Sequence, residues 1–247
     1  MEKKFELTEN YVVNEFGTKL YQIKCTKTFE YAKEGEIGGF IEKEENLSQE
    51  GDAWVADTAR VYGNAWVSGD ACVSGTACVY GTAWVYGTAC VAGDARVFGD
   101  AQVADTAWVS GTAQVSGDAR VFGNAQVSGN AQVYGNAQVF GNAQVCGNAQ
   151  VCGNARVYDD ACVSGTAWLK SDADHCGFDC FGSSNRHTHA YLTKDNTVEI
   201  TCGCFRGSIE EFEKRVKNTH SGTVYENQYN AIINVIKIKF GLDETSK

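Results

Sequence analysis

The sequence predicts an all-β solenoid with a small α+β module at its C-terminal end. Three observations predict it. Twenty aliphatic residues stand six positions apart from Val55 to Leu169, all but the last valine, with no slip in register. An alanine sits two residues before each of them, from Ala53 to Ala167. The corner between units is built from Gly, Asn, Asp and Thr, so the unit reads V-x-G-[N/D/T]-A-x, as in Val133-Tyr134-Gly135-Asn136-Ala137-Gln138. A fixed short period of this kind is the signature of stacked repeats.

Each element of the unit has a physical reason. Residues two apart on an extended strand point to the same side, so Ala and Val share one face and the residues flanking Val take the other. Gly, Asn and Asp then turn the chain, because they tolerate positive φ or hydrogen-bond their own backbone. A helix has no use for the pattern, since glycine every six residues would cost about 1 kcal/mol at each occurrence. Valine stacked on valine gives a dry core rising roughly 4.8 Å per layer. No layer buries its own face, so stability is a nearest-neighbour sum.

The repeat over residues 51–170 resembles the hexapeptide-repeat left-handed β-helix family, whose triangular coils hold three hexapeptides each. One departure is visible: many acyltransferases of that family place Gly directly after the aliphatic residue, whereas here it falls one position later. The resemblance implies coils of 18 residues, between six and seven of them, and a height of roughly 30 Å. The residue after each valine then sorts into three outward columns. One is uniformly small (Ala56, Ser74, Ala92, Ser110, Ser128, Cys146, Ser164). The second carries Tyr62, Tyr80, Phe98 and Tyr134, and the third Tyr86, Phe122, Phe140 and Tyr158. Aromatic ladders of this length are either stacked rungs or a contact surface. The residue before valine adds Trp54 and Trp108 to the small-residue face and Trp66 and Trp84 beside the third column. Gln126, Gln132, Gln138, Gln144 and Gln150 are candidates for hydrogen-bonded amide ladders.

The flanks are not repetitive. Residues 1–50 read as a cap for the first coil, with a hairpin around Asn14-Glu15-Phe16-Gly17. Residues 171–247 read as a ββαα module. In it a polar loop over 171–186 precedes strands His187–Thr193 and Thr197–Phe205, a helix opened by the capping box at Ser208, and a second helix from Val224 to Phe240. Both flanks are similar to segments of phage- and prophage-encoded hexapeptide-repeat proteins of unassigned activity.

Composition narrows the function. Net charge is −10, and acids exceed bases in all three regions. Without a basic stripe, phosphate-led nucleic-acid binding is disfavoured, and an acidic DNA mimic stands as a minor alternative. No apolar run of membrane-spanning length occurs, so the expectation is a soluble cytoplasmic protein, in the host cytoplasm if phage-encoded. Eleven cysteines, an odd number with several at repeat positions, read as free thiols, although Cys72 and Cys90 share a column.

All four histidines (His175, His187, His189, His220) lie outside the repeat. The resemblance implies a coil or loop histidine as base in acyltransferases, and coil histidines as zinc ligands in the related carbonic anhydrases. Residues 51–170 can supply neither, which argues for a non-enzymatic binding or scaffold protein. An acyltransferase-like enzyme using His187 or His189 is the alternative. A zinc set of His187, His189, Cys202 and Cys204 would form if paired strands turned both pairs to one face; otherwise no cofactor is called for. The binding residues expected of a scaffold are the aromatics Tyr62, Tyr80, Phe98, Tyr86, Phe122, Phe140, Tyr158, Trp66 and Trp84, with Arg60, Arg96, Arg120 and Arg156 as anion contacts. Family analogy implies a homotrimer, and the phage-like flanks a host protein or a small ligand as partner.

Overall fold

The computed structural model describes residues 3–242. Strands β1 (Phe5–Val13) and β2 (Lys19–Cys25) form an antiparallel hairpin. Its turn is held by the Asn14 side-chain oxygen, which accepts from the amides of Phe16 and Thr18 at 3.0 and 2.9 Å. Strand β3 (Ile37–Ile41) pairs antiparallel with β2 and parallel with Arg60–Val61, the second strand of the solenoid.

Twenty two-residue strands follow, β4 (Trp54–Val55) to β23 (Trp168–Leu169), one per repeat. They pair in parallel with the strands 18 residues away, as Val91 does with Val73 and Val109, and so build three sheets around a parallel β-solenoid of about seven turns. Every repeat valine and Leu169 is 0 % exposed, and the alanines lie beside them in one continuous core. The corners need the left-handed conformation. Gly111 has φ 69°, and a Cβ there would lie 3.0 Å from the amide nitrogen of Gly129 one coil on. Where aspartate replaces the corner glycine, at Asp57 and Asp105, the carboxylate accepts from the next coil's corner amide at 2.9 Å, which offsets the strain of positive φ.

The amide ladder runs along the corners and not along the glutamines. Asn124 donates to Asn142, Asn130 to Asn148 and Asn136 to Asn154, at 3.0 to 3.2 Å. The shorter asparagine side chain, fixed at a turn, lines up one coil above the next.

Both ends of the solenoid are closed. At the first coil Ile41 pairs with Val61 and Leu47 with Val67, so the N-terminal segment supplies an irregular extra layer. Lys4, 1 % exposed, donates from Nζ to the carbonyls of Gly51 and Ala53 at 3.1 and 2.8 Å. Burial pushes its pKa down to about 8. Trp54 is not on an open face as its column suggested: the cap covers it, with Phe29 edge-on at 5.5 Å.

The C-terminal module differs from ββαα. Its sheet has four antiparallel strands: β24 (His175–Phe181), β25 (Arg186–Leu192), β26 (Val198–Cys202) and β27 (Phe205–Ser208). The polar stretch 171–186 thus contains a strand, and Thr197–Phe205 is two strands around a turn at Gly203. Helices α1 (Ile209–His220) and α2 (Val224–Lys239) cover one face of the sheet through Ile200, Phe212, Val216, Tyr229, Ile232 and Ile236. The Ser208 hydroxyl accepts from the Glu211 amide at 3.3 Å while the Glu211 carboxylate accepts from the Ser208 amide at 2.9 Å. The other face of the sheet lies on the last coil, and Tyr191 inserts fully into the solenoid core. Among the described residues no helix is long and apolar enough to cross a membrane.

Candidate functional site

Apart from Tyr86 and Tyr134, the rings of the two aromatic columns are stacked rungs. Tyr62, Tyr80 and Phe98 follow one another at 5.0 Å between ring centres with planes within 2°. Phe122 and Phe140 repeat that geometry at 5.0 Å and 3°, and Tyr158 continues it at 5.5 Å. The coil rise exceeds the contact thickness of two rings, so parallel rings at this spacing are offset, the arrangement their quadrupoles favour. These rings are half-buried apart from Tyr158, and burial pushes the Tyr62 hydroxyl up to about 12. Much of each ladder's apolar area is therefore spent within the protein.

The tryptophans are different. Trp66 and Trp84 meet edge-to-face at 5.8 Å yet remain 40 and 47 % exposed, with Tyr86 exposed next to them. Trp108 stands 52 % exposed on the small-residue face. Exposed indole on a rigid surface marks contact more strongly than exposed aliphatics do. The arginines divide. Arg60 and Arg96 flank Cys78 in one column and share a cleft with Glu15. Arg156 is paired with Asp172 at 2.5 Å, whereas Arg120 makes no ion pair among the described residues.

Three of the four histidines gather where the module meets the last coil. The register sets His175 and Gly177 of β24 against Tyr191 and His189 of β25, on the face turned to the solenoid, and Asp179 at the bulge that follows reaches His187. His189 Nδ1 lies 3.4 Å from the Cys162 carbonyl, which can only accept, so Nδ1 carries the proton. His189 Nε2 then accepts from His175 Nδ1 at 2.9 Å. His187 Nδ1 bonds the Asp179 carboxylate. The outer nitrogens of His175 and His187 are buried and unpartnered, and a Cβ on Gly177 would meet the His187 ring at 2.7 Å. A cleft of about 290 Å³, edged by Tyr158, Asp159 and Asp172, opens beside the cluster. Burial pushes His189 down to about 3, and it lowers His175 as well. A buried, doubly engaged imidazole is poorly placed to take a proton from a substrate on a coil face.

The four-residue zinc set does not assemble. Thr188 pairs with Cys202 and His189 with Thr201, so the histidines face the solenoid and Cys202 faces the helices beneath Tyr229. Cys204 is exposed beyond the turn. One residue of register separates the two arrangements. Among the described residues no group of three His, Cys, Asp or Glu side chains is placed to hold a metal ion. All eleven cysteines are free thiols, and Cys72 and Cys90 are rung neighbours.

Residues 59–75, 113–129, 125–141, 131–147 and 149–165 match the YdcK Beta solenoid repeat. A search of curated proteins finds no match. The YdcK-type segments lie wholly within the stacked strands and agree with them on a repeat β-helix architecture. They take in Arg120, Phe122 and Phe140 but reach neither the N-terminal cap nor the histidine cluster.

The cluster makes a pH prediction. His189 is charged more readily in the unfolded chain than in the fold, so the unfolded state binds the extra proton and stability falls as pH drops from about 6.5 toward 3. Burial lowers His175 in the same direction, and the nearby Asp172 and Asp174 carboxylates offset part of that. Urea midpoints of the wild type are expected to decline between pH 7 and 5, and His189→Gln to flatten that decline. Equal slopes in the two proteins would refute the assignment.

Proposed function

We propose that the protein is a non-enzymatic binding scaffold, with recognition carried by exposed tryptophan on the solenoid's sides. The observation that supports this reading is the exposure of Trp66, Trp84 and Trp108 on a core whose valines are fully buried. A rigid solenoid holds such side chains in place before contact, which lowers the ordering cost of association. The column from Ala56 to Ser164 bears only small side chains and allows close approach of another copy, with Trp108 beside it. In this reading that face builds a homotrimer, and the Trp66–Trp84–Tyr86 face takes the partner. The likeness of the flanks to phage and prophage proteins makes that partner a host protein or a small ligand held by a viral accessory protein in the host cytoplasm.

Native mass spectrometry of protein purified from cells tests both halves. The expected result is a trimer carrying bound material. Trp108→Asp is expected to give monomers, and Trp66→Gln/Trp84→Gln to lose the bound material without changing the subunit count. A monomer with nothing bound, unaltered by either change, would sink the proposal.

A further inference from the structure

The third aromatic column has a missing rung. Tyr86, Ala104, Phe122, Phe140 and Tyr158 occupy successive coils at the same outward position, and only Ala104 lacks a ring. Beyond the gap Phe122 and Phe140 stack at 5.0 Å with planes within 3°, and Tyr158 follows at 5.5 Å. Tyr86 and Phe122 are therefore two steps apart, about 10 Å at the rise of stacked strands, which leaves room for one more ring at the spacing of the ladder. A cavity of about 210 Å³ occupies this notch, lined by Tyr86, Gln102, Ala104, Asp105, Arg120 and Phe122. Tyr86 takes part in no aromatic pair among the described residues, whereas Phe122 stacks on its other side.

The outward neighbours two residues earlier in the chain define the rest of the slot. Trp84 stands on the coil before the gap, Gln102 on the coil of the gap and Arg120 on the coil after it. Arg120 is exposed and unpaired among the described residues. The Asp105 carboxylate, the one acid at the notch, already accepts from the Gly123 amide at 2.9 Å. The other interrupted ladder, at Ser116, has Arg96 on its preceding coil, and that arginine shares its cleft with Glu15.

We infer that the Ala104 gap is a binding slot for a planar aromatic ring bearing an anionic group. The ring replaces the missing rung between Tyr86 and Phe122, and the anion meets the Arg120 guanidinium. Tyr86 and Phe122, the two aromatic side chains lining the cavity, give a flat ring stacking partners. A guanidinium offers a planar pair of donors to a carboxylate or phosphate. The inference rests on the binding-scaffold reading and specifies its ligand chemistry.

Calorimetric titration with 4-hydroxybenzoate, adenosine monophosphate and the neutral 4-hydroxybenzamide tests it. The wild type is expected to bind at least one of the two acids with a Kd of about 1 mM or below, and the stronger acid identifies an aryl carboxylate or a nucleotide as the source. Ala104→Phe completes the ladder, so its thermal midpoint should stay at or above that of the wild type while affinity for every ring drops at least about tenfold. Arg120→Gln, which places there the residue found at Gln102 and Gln138, should weaken the acids about tenfold and leave the benzamide unchanged. Absence of binding to both acids, or unchanged affinity in Ala104→Phe, overturns the inference; equal losses for acid and amide in Arg120→Gln overturn the role of the anion. If the trimer and its Trp66/Trp84-dependent cargo persist while the wild type binds neither acid, this inference alone falls.

Discussion

Val109→Asp is expected to remove cooperative folding from the middle of the solenoid. Val109 is fully buried, with Val91 on the coil before it and Val127 on the coil after. An aspartate there finds no partner in a column of valines and alanines, and burying an unpaired carboxylate costs several kcal/mol. Repeat stability is a chain of nearest-neighbour interfaces, so the loss weakens both contacts of that coil. Urea unfolding followed by circular dichroism should show a loss of about 4 kcal/mol or more, or a split transition as the two halves separate. Ser116→Asp, next to the buried Val115 but facing outward on another side of the solenoid, is the control and should move the midpoint little. Similar effects from the two substitutions would mean that the core is not where the structure places it.

Tyr191→Ala is expected to release the C-terminal module from the solenoid. Tyr191 belongs to the module's sheet yet packs in the solenoid core, and its hydroxyl reaches Ser164 at 3.2 Å and Glu199 at 3.3 Å. Removing a buried aromatic ring costs about 3–5 kcal/mol, all of it at the junction. Tyr191→Phe keeps the ring and loses only the hydroxyl's bonds, at about 1 kcal/mol. Limited proteolysis should cut near Asp172–Asp174 in the alanine variant and leave the phenylalanine variant whole. Resistance of both would show that other contacts hold the module.

The solenoid was legible because one period governs it: each valine's environment is set by its own position and by its neighbours 18 residues away. The cap was harder to read. Ile41 and Leu47 stand six apart, like the repeat, but a two-residue slip before Val55 hides them from a strict six-residue scan. In the tail, Cys176 and Phe178 alternate with His175, Gly177 and Asp179, which is the signal of β24. The polar residues after Phe181 and the bulge at Cys180, with φ 60°, obscured it. The pairing of His189 with Thr201 instead of Cys202 is set by the length of the turn at Lys194-Asp195-Asn196, and nothing in the alternation alone chooses between the two registers. The gap at Ala104 was visible as a letter in a column, but its meaning needed the ring spacing on either side.

Three repeats per coil also make this chain an indexing device. Excising 18 residues would shorten the rod by one storey and leave the terminal module facing the same way. Excising six would keep every valine inside yet turn the module by a third of a revolution, exchanging which side of the rod lies beneath it. Viable length variants of this architecture should therefore differ by whole coils wherever the module and a lateral face must serve one partner together.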